Sequence, residues 1–88
     1  MLTVTERAKR ELRSILIANE PDLDEGLRLL PFPNGECALT LDTEMAGDHV
    51  VEYEGYKVLL VGIEYFKLFD TKTVDCQDTA EGAVLFVK

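Results

Sequence analysis

Residues 49–61, HVVEYEGYKVLLV, constrain the fold most, because they carry the clearest β-hairpin pattern in the chain. Apolar residues alternate with other residues on either side of the pair Glu54-Gly55. Such alternation around a two-residue turn predicts two antiparallel strands, and Gly55 can adopt the positive φ that the turn requires. The run at residues 58–61 is apolar without interruption, which predicts an inner strand covered on both faces.

Residues 3–19 predict an amphipathic helix before the hairpin, and Pro21 follows it as a residue that cannot continue a helix. Thr5 is the expected N-cap, with Thr3 and Glu6 as an alternative capping box. The apolar residues recur at spacings of three or four and share one face, which we expect to pack on the rest of the chain: Val4, Ala8, Leu12, Ile15 and Leu16.

Short apolar or alternating runs at residues 27–30, 36–42, 71–76 and 83–87 predict further strands. A loop with two prolines and the pair Asn34-Gly35 separates the first two runs. Residues 62–70 predict a brief helical turn that covers the core with Ile63, Phe66 and either Leu68 or Phe69. The predicted fold class is therefore α+β, mostly β, with one helix and six short strands in a single domain over residues 1–88.

The charge of the chain argues against binding to nucleic acid. The formal net charge is −8, and residues 29–88 hold eleven acidic residues against four basic ones. A polyanion would be repelled by this surface. No apolar run approaches the ~20 residues of a membrane span, and no charged-then-apolar leader is present. These features predict a small acidic cytoplasmic protein with reduced thiols and no membrane partner.

Three residues are candidates for chemistry: Cys37, Cys76 and His49. Cys37 opens a predicted strand after the proline-containing loop, so its sulfur can act as a ligand for iron or as a packed core thiol. Cys76 lies within a strand pattern and is predicted to be a buried core residue. His49, the single histidine, can either serve as a general base for Cys37 or stay exposed and inert. No paired-cysteine motif of a zinc site is present.

Taken in order, these segments resemble the HesB-like domain of A-type iron–sulfur cluster carriers, nearly from end to end. The resemblance implies a HesB-like fold, with an N-terminal helix packed on small mixed β-sheets as a sandwich or partial barrel. It also implies a non-enzymatic role in iron–sulfur cluster assembly. The similar segments are the helix at residues 3–16, the strand at 26–29, the hairpin at 53–61 and the strands at 73–75 and 82–86.

Cys37 falls on the loop cysteine of that family, which also carries a Cys-Gly-Cys pair in its C-terminal tail. The sequence ends at Lys88, before such a pair, and prolines 31 and 33 depart from the family's loop. The resemblance therefore implies a divergent member without the tail. Such a member is expected to bind iron or a cluster weakly through Cys37 at an oligomer interface, because a cluster takes four protein ligands.

The other ligands would come from glutathione, another protein or water, and the partners would be a second copy or proteins of cluster assembly. An alternative remains open on the same fold. In it the chain is a metal-free binding or regulatory module that has lost carrier activity and has no cofactor. A third hypothesis is a thiol enzyme that uses Cys37. We do not favour it, and we expect that the protein is not an enzyme.

Overall fold

The computed structural model describes residues 1–34 and 36–88, so Gly35 of the predicted loop lies outside the described residues. The described residues form seven strands, one long helix and two short helical segments. In chain order these are β1 (Thr3–Val4), α1 (Glu6–Ala18), β2 (Glu25–Pro31), β3 (Cys37–Thr43), β4 (His49–Tyr53), β5 (Tyr56–Val61), a 3₁₀ turn (Ile63–Tyr65), α2 (Phe66–Phe69), β6 (Thr73–Thr79) and β7 (Gly82–Val87).

The strands form two mixed sheets with α1 packed on them. The four-stranded sheet has the order β3-β2-β5-β4, and the three-stranded sheet has the order β1-β6-β7. The pairs β2–β5 and β1–β6 are parallel, and the others are antiparallel. This arrangement confirms the predicted α+β class, mostly β, with a helix on small mixed sheets.

Helix α1 is shorter than residues 3–19, because Thr3 and Val4 pair as β1 with β6. The hydroxyl of Thr5 accepts a hydrogen bond from the Ala8 amide at 3.2 Å, which confirms Thr5 as the N-cap and makes the alternative capping box wrong. The predicted apolar face is confirmed at Ala8, Leu12 and Leu16, which are fully buried. No helix in the described ranges is long and apolar enough to cross a membrane.

The hairpin at residues 49–61 is confirmed. Glu54 and Gly55 have φ values of 48° and 86°, and Tyr53 pairs with Tyr56 across them. Positive φ at both central residues is characteristic of a type I′ turn, whose twist matches the twist of paired antiparallel strands. Residues 58–61 have no exposed surface, because β5 lies between β2 and β4 inside the larger sheet.

A buried arginine in β2 is the main feature that the sequence pattern did not predict. Arg28 lies within an apolar run and is only 7% exposed. Its Nε donates to Asp42 at 2.6 Å, and its two terminal nitrogens donate to Asp48 at 3.0 and 2.7 Å. One of these also donates to the carbonyl of Thr43 at 3.0 Å. The ion pairs lower the pKa of both carboxyl groups, with hydrogen bonding from Arg28 as the main cause.

The predicted helical turn exists, but its apolar side chains divide differently from the prediction. Phe69 is buried in the core, as predicted. Ile63 is 69% exposed and Leu68 is 51% exposed, so the prediction that Ile63 covers the core is wrong. The segment is a 3₁₀ turn followed by a single turn of α-helix, and this break changes which side chains face inward.

Candidate metal-binding site at Cys37

Cys37 is the first residue of β3 and pairs with Pro31, the last residue of β2. The connecting loop is closed by the Phe32 amide, which donates to the Glu36 carbonyl at 2.8 Å. The Glu36 amide donates in turn to the side chain of Asn34 at 3.0 Å. These bonds hold the thiol at the end of a two-stranded arm, where it is half-buried.

Two clefts meet at Cys37. The first has a volume of about 420 Å³ and lies between β2–β3 and β6–β7. The second has a volume of about 350 Å³ and lies between the loop and the segment around α2. Glu36, Cys37 and Val87 line both clefts. Most of the other lining side chains are apolar, so the thiol lies in poorly solvated surroundings: Leu29, Leu39, Val74, Leu85, Phe32, Leu68 and Phe69.

These surroundings determine the protonation of the thiol. Burial raises the pKa of Cys37 above its ordinary value, and the nearby charge of Lys72 lowers it in part. The net direction is upward, so the thiol is protonated at neutral pH. Because the thiolate is the metal ligand, iron that binds here must first displace this proton.

The influence of Lys72 gives a first prediction. In the Cys76→Ser background, Lys72→Ala removes the positive charge that stabilises the thiolate of Cys37. We expect alkylation of Cys37 by iodoacetamide near pH 8 to slow about two- to threefold, through a further rise of the thiol pKa. Lys67→Ala is the matched control, because Lys67 lies on α2 but lines neither cleft. Equal rates for Lys72→Ala and the parent would show that Lys72 does not act on the thiol.

The donor set of one copy does not complete a metal site. Within residues 1–34 and 36–88, no group of three or more His, Cys, Asp or Glu side chains could hold a metal ion. Cys37 offers one sulfur, and Glu36 is the only other such residue that lines the two clefts. A cluster or iron ion at Cys37 therefore requires ligands from outside a single copy of these residues.

Cys76 lines neither cleft. It lies on β6 opposite Leu85 and is half-buried against the core, so the prediction of a buried core residue is only partly correct. Burial is the main cause that raises the pKa of its thiol, with smaller effects from the charges of Arg7 and Glu11 on α1. Both cysteines are free, with no disulfide between them.

The structure does not bring His49 to Cys37. The histidine lies on β4 and the cysteine on β3, and these are the two opposite edges of the larger sheet. Three inter-strand spacings separate them, which is roughly 14 Å. His49 instead packs on Phe66 with ring centroids 5.4 Å apart, and it is half-buried, so the prediction of an exposed residue is wrong. The geometry also removes His49 as a general base for Cys37.

No protein-family model matches the chain, and a search of curated proteins found no match. Among solved structures, the crystal structure of Escherichia coli SufA, involved in biosynthesis of iron–sulfur clusters, aligns with a TM-score of 0.72 and 23% identity over 99% of this chain and 83% of that one. A protein from Aquifex aeolicus, solved by solution NMR, aligns with a TM-score of 0.70 and 23% identity over 99% and 89%.

The crystal structure of IscA with a [2Fe–2S] cluster aligns with a TM-score of 0.67 and 16% identity over 100% of this chain and 84% of that one. These identities are low, so the likeness establishes the fold and leaves function to the site. The predicted resemblance is confirmed at that level. The chain has the fold of SufA and IscA, which is the fold that the resemblance implied.

Proposed function

We propose that this protein takes part in iron–sulfur cluster assembly without being an enzyme. It binds iron or a cluster weakly through Cys37, where the chain meets a second polypeptide. The observation that carries the proposal is the position of Cys37, half-buried where two clefts meet, in a fold shared with SufA and IscA. The role needs a reduced thiol, which agrees with the cytoplasmic location expected from the sequence.

The chemistry of binding is an exchange of a proton for a metal. The Cys37 thiol releases its proton to solvent as the sulfur bonds to iron, and no electron transfer is needed. Burial raises the thiol pKa, so this exchange costs free energy at neutral pH and keeps the affinity low. The affinity of Cys37 for iron therefore rises with pH. Because one thiolate binds per chain, the rise is up to about tenfold per pH unit below the thiol pKa.

The cluster is cargo that several molecules hold together. Two copies of the chain supply two Cys37 sulfurs, and a [2Fe–2S] cluster takes four ligands. The remaining positions are filled by glutathione or by a partner of cluster assembly. A cluster held in this way is easily released, because half of its ligands leave with a small molecule or with another protein.

The test is anaerobic reconstitution with ferrous iron, sulfide and glutathione. We expect wild type to gain bound iron and a visible charge-transfer band, and Cys37→Ser to lose both. Cys76→Ser is the matched control, because Cys76 is also a free half-buried thiol whose pKa is raised by burial, but it lies outside both clefts. Equal iron in Cys37→Ser and wild type would contradict the assignment of Cys37.

A second candidate is a binding or regulatory module that holds no metal. It is favoured by the raised pKa of Cys37 and by the lack of a three-ligand group within the described ranges. This candidate predicts colourless protein without iron in wild type and in both serine variants. The same reconstitution therefore decides between the metal-binding function and the metal-free module. A metal-free result would favour the apolar clefts as surfaces that bind other proteins.

A further inference from the structure

The edges of the two sheets differ in how they are protected against added strands. In the part of the chain that the structure describes, β1 and β7 border the smaller sheet, and β3 and β4 border the larger one. Strand β1 has only two residues, and short edges resist pairing. Strand β4 is paired irregularly, because its register with β5 shifts between Val51 and Glu52. Strands β3 and β7 pair over seven and six residues without a shift, and β7 contains no charged residue.

The hydrogen-bond pattern shows which backbone groups of β7 face its free edge. Thr73 and Lys88 exchange both backbone bonds, at 2.8 and 2.9 Å. In an antiparallel ladder such pairs alternate with pairs that make no mutual bond. The N–H and C=O groups of Ala83, Leu85 and Val87 therefore point away from β6, toward the open side of the sheet.

The same reasoning applies to β3. The Phe32 amide donates to the Glu36 carbonyl, and the Glu44 amide donates to the Asp24 carbonyl, both at 2.8 Å. The bonded positions of β3 are therefore the even-numbered ones. The backbone groups of residues 37 and 39 point away from β2, toward the free edge of the larger sheet.

These two edges meet at one cleft. Cys37 and Leu39 from β3 line the 420 Å³ cleft together with Leu85 and Val87 from β7. The cleft thus combines apolar side chains with outward-facing backbone donors and acceptors from both sheets. An extended polypeptide can satisfy both features, because it offers its own row of backbone groups and places every second side chain on one face.

We propose that this cleft binds an extended segment of a partner protein, which adds a strand along β7 and inserts alternate apolar side chains between the two sheets. The segment carries basic residues at its ends. Glu36 is the charged residue among those that line the cleft, and the charge of the neighbouring Lys88 is compensated by its ion pair with Asp75 at 3.2 Å. The wider surface is acidic too, since residues 29–88 hold eleven acidic and four basic residues. Without a shared cluster to join them, a second copy fits less well, because each copy carries a net charge of −8.

The probe is an acetylated and amidated peptide, Lys-Val-Thr-Val-Thr-Val-Lys, added to the protein in the presence of a chelator. Amide exchange measured by NMR should slow about tenfold or more at Leu85 and Val87 when the peptide is saturating. The control peptide has the same sequence with its Val and Thr amides N-methylated, which removes backbone donors on both sides. We expect it not to bind.

A variant tests the edge from the protein side. Ala83→Pro removes an N–H that faces the free edge, where proline is tolerated in a strand. We expect about tenfold weaker peptide binding and an unchanged circular dichroism spectrum. Val84→Ala is the control, because Val84 alternates with the edge-facing residues and lies outside the cleft, and it should bind as wild type does.

Three results would overturn the proposal: no binding of the peptide, equal binding of the N-methylated peptide, or slowed exchange elsewhere instead of at β7. Protection of Leu85 and Val87 without peptide, together with a dimer in sedimentation, would make a second copy the occupant and would also overturn it. The pairing uses backbone groups and needs no iron. Repeating the titration with Cys37→Ser therefore separates its outcome from that of the metal-binding proposal.

Discussion

Replacing Arg28 by methionine is expected to lower the free energy of unfolding by about 3–5 kcal/mol, because it leaves a buried carboxylate without its partner. The side chain of Asp48 is only 3% exposed and receives two of the Arg28 hydrogen bonds. Its remaining donor is the Met45 amide at 2.8 Å. Such a loss is a large share of the roughly 5–15 kcal/mol of a typical domain. Urea unfolding followed by circular dichroism measures it.

The double variant Arg28→Met, Asp48→Asn is the control for this prediction. Asparagine removes the uncompensated charge, so the double variant should be more stable than Arg28→Met alone. The pH dependence has a defined sign. The folded-state pKa values of Asp42 and Asp48 are lowered, so their stabilisation is complete above the ordinary carboxyl pKa of about 4 and is lost as pH falls.

The difference in the free energy of unfolding between wild type and Arg28→Met should therefore become smaller as the pH falls below about 4. A constant gap from pH 7 to pH 3 would show that the arginine stabilises the fold through its packing rather than through these ion pairs. Equal stability of wild type and Arg28→Met at pH 7 would contradict the prediction itself.

Replacing Gly26 by alanine is expected to destabilise the fold by about 3 kcal/mol, because the larger sheet has no room for a side chain at this position. An added Cβ would clash with the backbone carbonyl oxygen of Lys57 and approach Leu60 at 3.1 Å. The oxygen belongs to the neighbouring strand, which pairs with Gly26 and cannot rotate away as a flexible side chain would. Strands β2 and β5 would have to separate at the centre of the sheet.

Thermal unfolding checks this prediction, with a fall in Tm of roughly 12–24 °C for a domain of this size. Gly55→Ala is the comparison, because nothing lies within 4 Å of an added Cβ there, although φ is +86°. Its cost is the strain of a left-handed residue, about 1–2 kcal/mol. A Tm of Gly26→Ala equal to or higher than that of Gly55→Ala would show that the sheet can adjust to a side chain at Gly26.

Local patterns predicted much of the fold. The pair Glu54-Gly55 and the alternation around it determine a hairpin within a few residues, and Thr5 caps α1 through a bond to a residue three positions away. Strand β1 could not be found in this way, because two residues have no periodicity and their partners lie 70 positions later. Ile63 was misplaced because a 3₁₀ turn does not follow the α-helical period.

The site was predictable only in part. The loop predicted that Cys37 opens a strand, and the structure places it there. Its function as a ligand stays a prediction, as does the single domain. The sequence could not place Lys72 or the second sheet beside the thiol, and these determine its pKa. Nor could it predict that Arg28 meets Asp42 and Asp48, since antiparallel pairing and a tight turn bring those carboxylates to the arginine.

The parallel pairing of β1 with β6 has a consequence for synthesis of the protein. Thr3 pairs with Thr73, so the smaller sheet joins two segments that lie 70 positions apart in the chain. Helix α1 contacts both β5 and β6, so its final packing waits until β6 has been synthesised. Contacts this distant along the chain slow folding, because a long loop must close before they form. On the ribosome, α1 therefore emerges well before the strands that cover it, and its apolar face stays exposed until β5 and β6 follow.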